Sequence, residues 1–129
     1  MKEVYDFLKE VGVYYIATVE NGEPRVRPFG TVNIFEDKLY IQTGMKKNCF
    51  KQMNGKVVEI CAFKDGTWLR LTGTLIHDER IEPQEDMLNH YESLKGMYKA
   101  GDGNNAVLYF QNAKAVFNSF GKAPKEIVF

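Results

Sequence analysis

The chain has 129 residues, 44% of them hydrophobic and 26% charged, which fits one soluble globular domain with one core. Seventeen basic residues balance seventeen acidic ones, so a nucleic-acid partner, which selects for excess Lys and Arg on one face, is not expected. No stretch has the apolar run of a signal peptide or membrane span, and a cytoplasmic location is expected.

From Glu3 to Val11, the residues Val4, Phe7, Leu8 and Val11 recur at helical spacing, and Gly12 ends the segment. Val13–Val19 is β-branched and aromatic, and Asn21-Gly22 is a strong hairpin signal. A second strand is expected over Pro24–Phe35, with Gly30 marking a bulge or bend. Glu36-Asp37 turns the chain into Lys38–Thr43, which makes three consecutive antiparallel strands.

After Gly44, the pattern over Lys46–Met53 predicts a helix with Cys49, Phe50 and Met53 on one side. Val57–Phe63 and Thr67–Ile76 read as strands joined by Lys64-Asp65-Gly66. Glu82–Met97 is helical in pattern, with interruptions near Ser93 and Gly96, and Gly101–Asn105 is a loop. Two closing strands are expected, Val107–Phe110 and Lys114–Phe120. The fold class is mainly β (α+β): six or seven antiparallel strands in a barrel, with short flanking helices, in one domain over 1–129.

Three stretches carry possible chemistry. In Pro24-Arg25-Val26-Arg27-Pro28, strand alternation puts Arg25 and Arg27 on one face and Val26 on the other. The arginines either meet an anion or lie solvated beside Glu23 or Glu36. In Gln42-Thr43-Gly44-Met45-Lys46-Lys47-Asn48 a strand runs into a helix start, where unpaired N–H groups favour an anion. Thr43 adds a hydroxyl and Lys46 and Lys47 add charge, a set suited to a terminal phosphate, or else to an ordinary solvated surface. In Trp68-Leu69-Arg70-Leu71-Thr72, the only Trp shares a face with Arg70 and Thr72. Trp68 then covers a flat ligand, sits in a subunit interface or packs in the core.

Other chemistries find little support. His77 and His90 have no metal-ligand spacing, and no nucleophile elbow, Walker loop or dinucleotide fingerprint is present. Cys49 and Cys61 are expected as reduced thiols. Any enzyme here takes its reactive group from a cofactor. Tyr109 and Ser119 are candidate pocket donors, and no catalytic acid or base is assigned.

The three stretches, in this order, resemble the pyridoxamine 5′-phosphate oxidase-related family of FMN-binding split-barrel proteins over nearly the whole chain. The resemblance implies FMN as cofactor, held by Arg25, Val26, Arg27, Pro28, Gln42, Thr43, Lys46, Lys47 and Asn48. It also implies a homodimer in which Trp68 approaches the flavin of the other subunit. A barrel of this size is filled by its own side chains, so a flavin lies outside it and needs a second chain as cover.

The family's Ser-Arg-Lys clamp is replaced here by Lys46-Lys47-Asn48, which keeps charge and loses the guanidinium fork. The C-terminal substrate-gripping segments of the oxidases proper are missing from Phe117-Asn118-Ser119-Phe120 to Phe129. The implied function is therefore an FMN-dependent oxidoreductase for an unknown small molecule, not a vitamin B6 oxidase. A non-catalytic flavin module and a deazaflavin-dependent reductase are the alternatives.

Overall fold

Eight strands, three α-helices and one 3₁₀ turn build the molecule, a computed structural model that describes residues 1–129. In chain order they are α1 (Lys2–Val11), β1 (Tyr14–Glu20), β2 (Glu23–Phe29), β3 (Asn33–Phe35) and β4 (Lys38–Gly44). Then follow α2 (Asn48–Met53), β5 (Val57–Lys64), β6 (Thr67–Asp78), α3 (Ile81–His90) and the 3₁₀ turn (Glu92–Gly96). The last two strands, β7 (Asn105–Ser119) and β8 (Lys125–Val128), complete the chain.

Three two-residue hairpins organise the strands. Asn21-Gly22, Glu36-Asp37 and Asp65-Gly66 all have positive φ at both positions, the turn whose twist matches that of the paired strands. The sheet runs β2-β1-β5-β6-β7-β4-β3, with β8 beside β7, and every named strand pair is antiparallel. Alternation sets the faces: Val58, Ile60 and Ala62 of β5 point inward, and Val57, Glu59, Cys61 and Phe63 outward. The inward residues join a core that includes Leu8 of α1, Ile16, Leu39, Ile41, Leu69 and Leu71. β4 is buried on both faces, because Tyr40 packs outward with Met87 of α3 and Val107. This is the antiparallel split barrel, mainly β with short helices.

Several boundaries differ from the sequence expectation. Pro24–Phe35 is two strands, since the chain leaves the sheet at Gly30–Val32 and β2 pairs with β1 while β3 pairs with β4. Consequently Lys38–Thr43 is not the third strand of a meander; it pairs with β7. Lys46 and Lys47 lie in a turn, and α2 begins at Asn48. Glu82–Met97 divides into α3 and the 3₁₀ turn. The two expected closing strands are one, β7, bent where Asn112 takes φ 54° opposite a register shift between Thr72 and Thr74. β8 was not expected; it brings the strand count to eight.

Candidate functional site

The two ends of the sheet, β2 and β3, are consecutive in the chain yet do not pair with each other. They meet at Gly30–Val32, where tyrosine side chains replace a ladder. Tyr14 Oη donates to the Thr31 carbonyl at 2.6 Å. Tyr91 Oη accepts from the Val32 N–H at 2.9 Å and donates to the Val32 carbonyl at 3.0 Å. Thr31 Oγ1 in turn accepts from the Gln42 N–H at 2.9 Å, where β3 no longer accompanies β4. Burial, reinforced by the neighbouring Tyr91, holds the Tyr14 phenol well above its ordinary pKa, so it remains a donor at neutral pH.

This split forms a groove of about 310 Å³. Pro28, Gln42 and Thr43 line it from the strands, Thr31 from the break between β2 and β3, Lys47 from the β4–α2 corner, and Tyr91, Ser93 and Leu94 from the far side. Four residues picked out in the sequence, Pro28, Gln42, Thr43 and Lys47, therefore converge here. Lys47 is exposed and has no carboxylate partner.

Arg27, the residue before Pro28 in β2, does not line this groove; its guanidinium is held in a closed ring of hydrogen bonds. Its Nη1 donates to Thr18 Oγ1 at 2.8 Å, its Nη2 donates to Gln52 Oε1 at 2.6 Å, and Thr18 Oγ1 donates to the same Gln52 oxygen at 2.9 Å. Gln52 Nε2 donates to Glu20. Val26 points the other way and is exposed, so β2 turns its apolar residue to solvent and its arginine towards α2. Arg25 shares Arg27's face but pairs with Glu23 at 3.0 Å, the solvated alternative.

The strand-to-helix corner is less open to an anion than its sequence implies. The Met45 N–H donates to the Asn104 carbonyl, the Lys46 N–H to Asn104 Oδ1 and the Lys47 N–H to the Gly44 carbonyl. A Cβ on Gly44 would lie 3.0 Å from Tyr98 Oη, so glycine is what permits this close packing. Thr43 is buried with its hydroxyl 3.5 Å from Cys49 Sγ, and the Gln42 side chain donates to Asn105 Oδ1 at 2.9 Å. The Met45, Lys46 and Lys47 N–H groups are therefore spent within the fold.

The remaining candidates lie elsewhere. Lys46 and Asn48 are exposed, and Asn48 lines a neighbouring groove with Glu20, Lys51, Gln52 and Lys56. Trp68 is half-buried outside the core, its ring 5.4 Å from that of Phe120. Tyr109 packs on Tyr40 under Lys38, and Ser119 bonds Thr67, so neither reaches the groove. Thr18, Gln52 and Tyr91 were not anticipated; each depends on contacts between residues far apart in sequence, which no local pattern signals.

Structural comparison identifies relatives. A NimC/NimA family protein from Clostridium acetobutylicum is 47% identical, with 98% of this chain and 93% of that one covered and a TM-score of 0.91. A protein from the same organism related to general stress protein 26 of B. subtilis, of the pyridoxinephosphate oxidase family, is 15% identical. There the coverage is 99% and 92%, with a TM-score of 0.66. The FAD and heme binding protein from Mycobacterium smegmatis is 13% identical over 99% of this chain and 81% of its own, with a TM-score of 0.67. No protein-family model and no curated protein sequence matches. The chain belongs to the NimC/NimA family, on the split-barrel fold of the pyridoxamine 5′-phosphate oxidase-related proteins.

Proposed function

We propose that the groove binds the flavin FMN and that the protein is an oxidoreductase acting on a small molecule from a homodimer. One observation carries this reading: at the split of the barrel, Pro28, Gln42, Thr43 and Lys47 converge on one groove, and Arg27, the residue before Pro28 in β2, bonds only neutral acceptors. Lys47 and Arg27 fit a phosphate monoester, and Pro28, Phe29 and Leu94 offer apolar surface to a ring system. A volume of about 310 Å³ is at the low end for a small-molecule site, about 300–1,000 Å³. A second protomer then completes the enclosure. One neighbour of the same fold is named as an FAD and heme binding protein, which supports a flavin on this scaffold.

FMN supplies the electron and hydride chemistry, and the chain supplies charge, orientation and shape. Lys47 and Arg27 hold the phosphate end, and the tyrosine-latched Gly30–Val32 segment sets the wall opposite Gln42 and Thr43. The Tyr91 hydroxyl is engaged at Val32, so the groove holds no free phenol for proton transfer. That observation favours, as a second reading, a flavin carrier or sensor without turnover.

The test is a titration of FMN and riboflavin into cofactor-free wild type and Arg27→Ala. Each charge-assisted hydrogen bond contributes about 1.5–3 kcal/mol, roughly ten- to hundredfold in affinity. FMN is expected to bind tighter than riboflavin, and Arg27→Ala to weaken FMN by about that factor. Equal affinities in the wild type would overturn the assignment. Oxidation of NADH or NADPH by the flavin-loaded protein separates an oxidoreductase from a carrier.

A further inference from the structure

Arginines that lie half-buried against a helix ordinarily find a carboxylate, because an ionised partner compensates the charge removed from water. Arg27 does not. Its two bonded acceptors, the Thr18 hydroxyl and the Gln52 amide oxygen, are both neutral. The carboxylate that might neutralise it, Glu20, is held on the far side of Gln52, bonded to the amide nitrogen. Only this orientation of the amide satisfies both neighbours, since the guanidinium needs an acceptor and the carboxylate a donor.

The other charges nearby leave the same balance. Arg25 is committed to Glu23, and Lys51 and Lys56 line the groove that Glu20 borders. Gln52 is therefore a spacer: it fixes the guanidinium in place and keeps the nearest carboxylate off it.

We infer that Gln52 and Thr18 are positioning residues that hold Arg27 as an oriented, uncompensated cation for the phosphate of the bound ligand. This rests on the reading of the groove as an FMN site and assigns the phosphate preference to a neutral holding pair. Were Arg27 only a tie between β2 and α2, a carboxylate at position 52 would hold it more strongly than an amide does. The two roles therefore predict opposite responses to the same change.

The deciding variant exchanges the two side chains, Glu20→Gln with Gln52→Glu. Net charge is unchanged and the amide–carboxylate bond between the positions is retained, but the carboxylate now faces Arg27. FMN and riboflavin are titrated into the wild-type and exchanged proteins, with thermal unfolding of both flavin-free forms. The expected result is unchanged or raised thermal stability and an FMN affinity lowered about ten- to hundredfold, with riboflavin unaffected.

Unchanged FMN affinity in a folded exchange variant would overturn the inference and leave the FMN site standing. If the exchange does not fold, Gln52→Met decides instead. Loss of FMN-over-riboflavin preference in Gln52→Met supports the positioning role, and retention of the preference overturns it. A wild-type protein that binds both flavins equally would overturn the FMN site itself and this inference with it.

Discussion

At the scale of single residues, the strongest polar cluster lies away from the groove, at the end of β6. Asp78 is buried and receives Tyr40 Oη at 2.8 Å, Arg80 Nη2 at 2.9 Å and the Arg80 backbone N–H at 3.1 Å. Arg80 also reaches Glu36 at 2.9 Å, so the cluster ties the β3–β4 turn to the end of β6. The hydrogen bond from the Arg80 side chain is the main cause that lowers the Asp78 carboxyl from 3.8 to about 2. Burial and the bond to Asp78 push the Tyr40 phenol upward, so it stays protonated.

Because the folded-state pKa of Asp78 lies below its unfolded value, its stabilisation is complete above about pH 4. It is lost as the pH falls towards about 2. The shift corresponds to about 2 kcal/mol. Asp78→Asn is therefore expected to lose stability of that order near neutral pH. It should also show a flatter loss on acidification than wild type, as read by urea unfolding at several pH values.

Among the elements, β6 and β7 have the longest pairing in the sheet, and their middle depends on Gly73. A Cβ there would lie 3.0 Å from the Phe110 ring and 3.2 Å from the Ala113 backbone, and the backbone atom cannot swing aside. Gly73 sits between Thr72 and Thr74, where the register shifts and β7 bends at Asn112. Gly73→Ala is expected to destabilise the fold by about 1–3 kcal/mol through overpacking. In urea the midpoint should fall while the slope stays unchanged, because the surface exposed on unfolding is the same. The same bend explains why one strand reads as two: Gln111-Asn112-Ala113 breaks the local alternation, and only pairing with β6 and β8 carries the strand through.

For the whole molecule, the surface around the β5–β6 turn is too apolar to be left to water. Phe63 is 63% exposed and Phe120 84%; Phe63 is the cross-strand partner of Trp68, whose ring lies 5.4 Å from that of Phe120. Contiguous apolar patches on a soluble protein mark an interaction site, and the proposed homodimer gives this one a second copy as cover. Sedimentation at micromolar concentration is expected to report a dimer, and Phe63→Glu a monomer with weakened FMN binding. A monomeric wild type that still holds FMN tightly would contradict the assembly. Trp68 lies outside the core, so Trp68→Ala should leave apo stability nearly intact. FMN should loosen by about 1–3 kcal/mol if the ring stacks on a flavin as aromatic rings stack on bases.

What the sequence determined by itself was local. Asn21-Gly22 and Asp65-Gly66 form the hairpin turns their chemistry predicts, and the alternation in β5 and β6 sorts inward from outward residues. The three stretches Pro24–Pro28, Gln42–Asn48 and Trp68–Thr72, taken in order, pointed to a family. Each of these signals is carried by residues a few positions apart, where backbone preference and strand period act directly.

Tertiary structure decided the rest. The break at Gly30–Val32 is held by Tyr91, 59 residues away from Val32. The pairing of β8 with β7 places Phe129 against Ala113. Arg27 and Arg25 are equivalent by spacing, yet Gln52 from α2 captures one and Glu23 the other. Such choices depend on which distant side chain folding brings within hydrogen-bond reach, and periodicity along the strand carries no record of that.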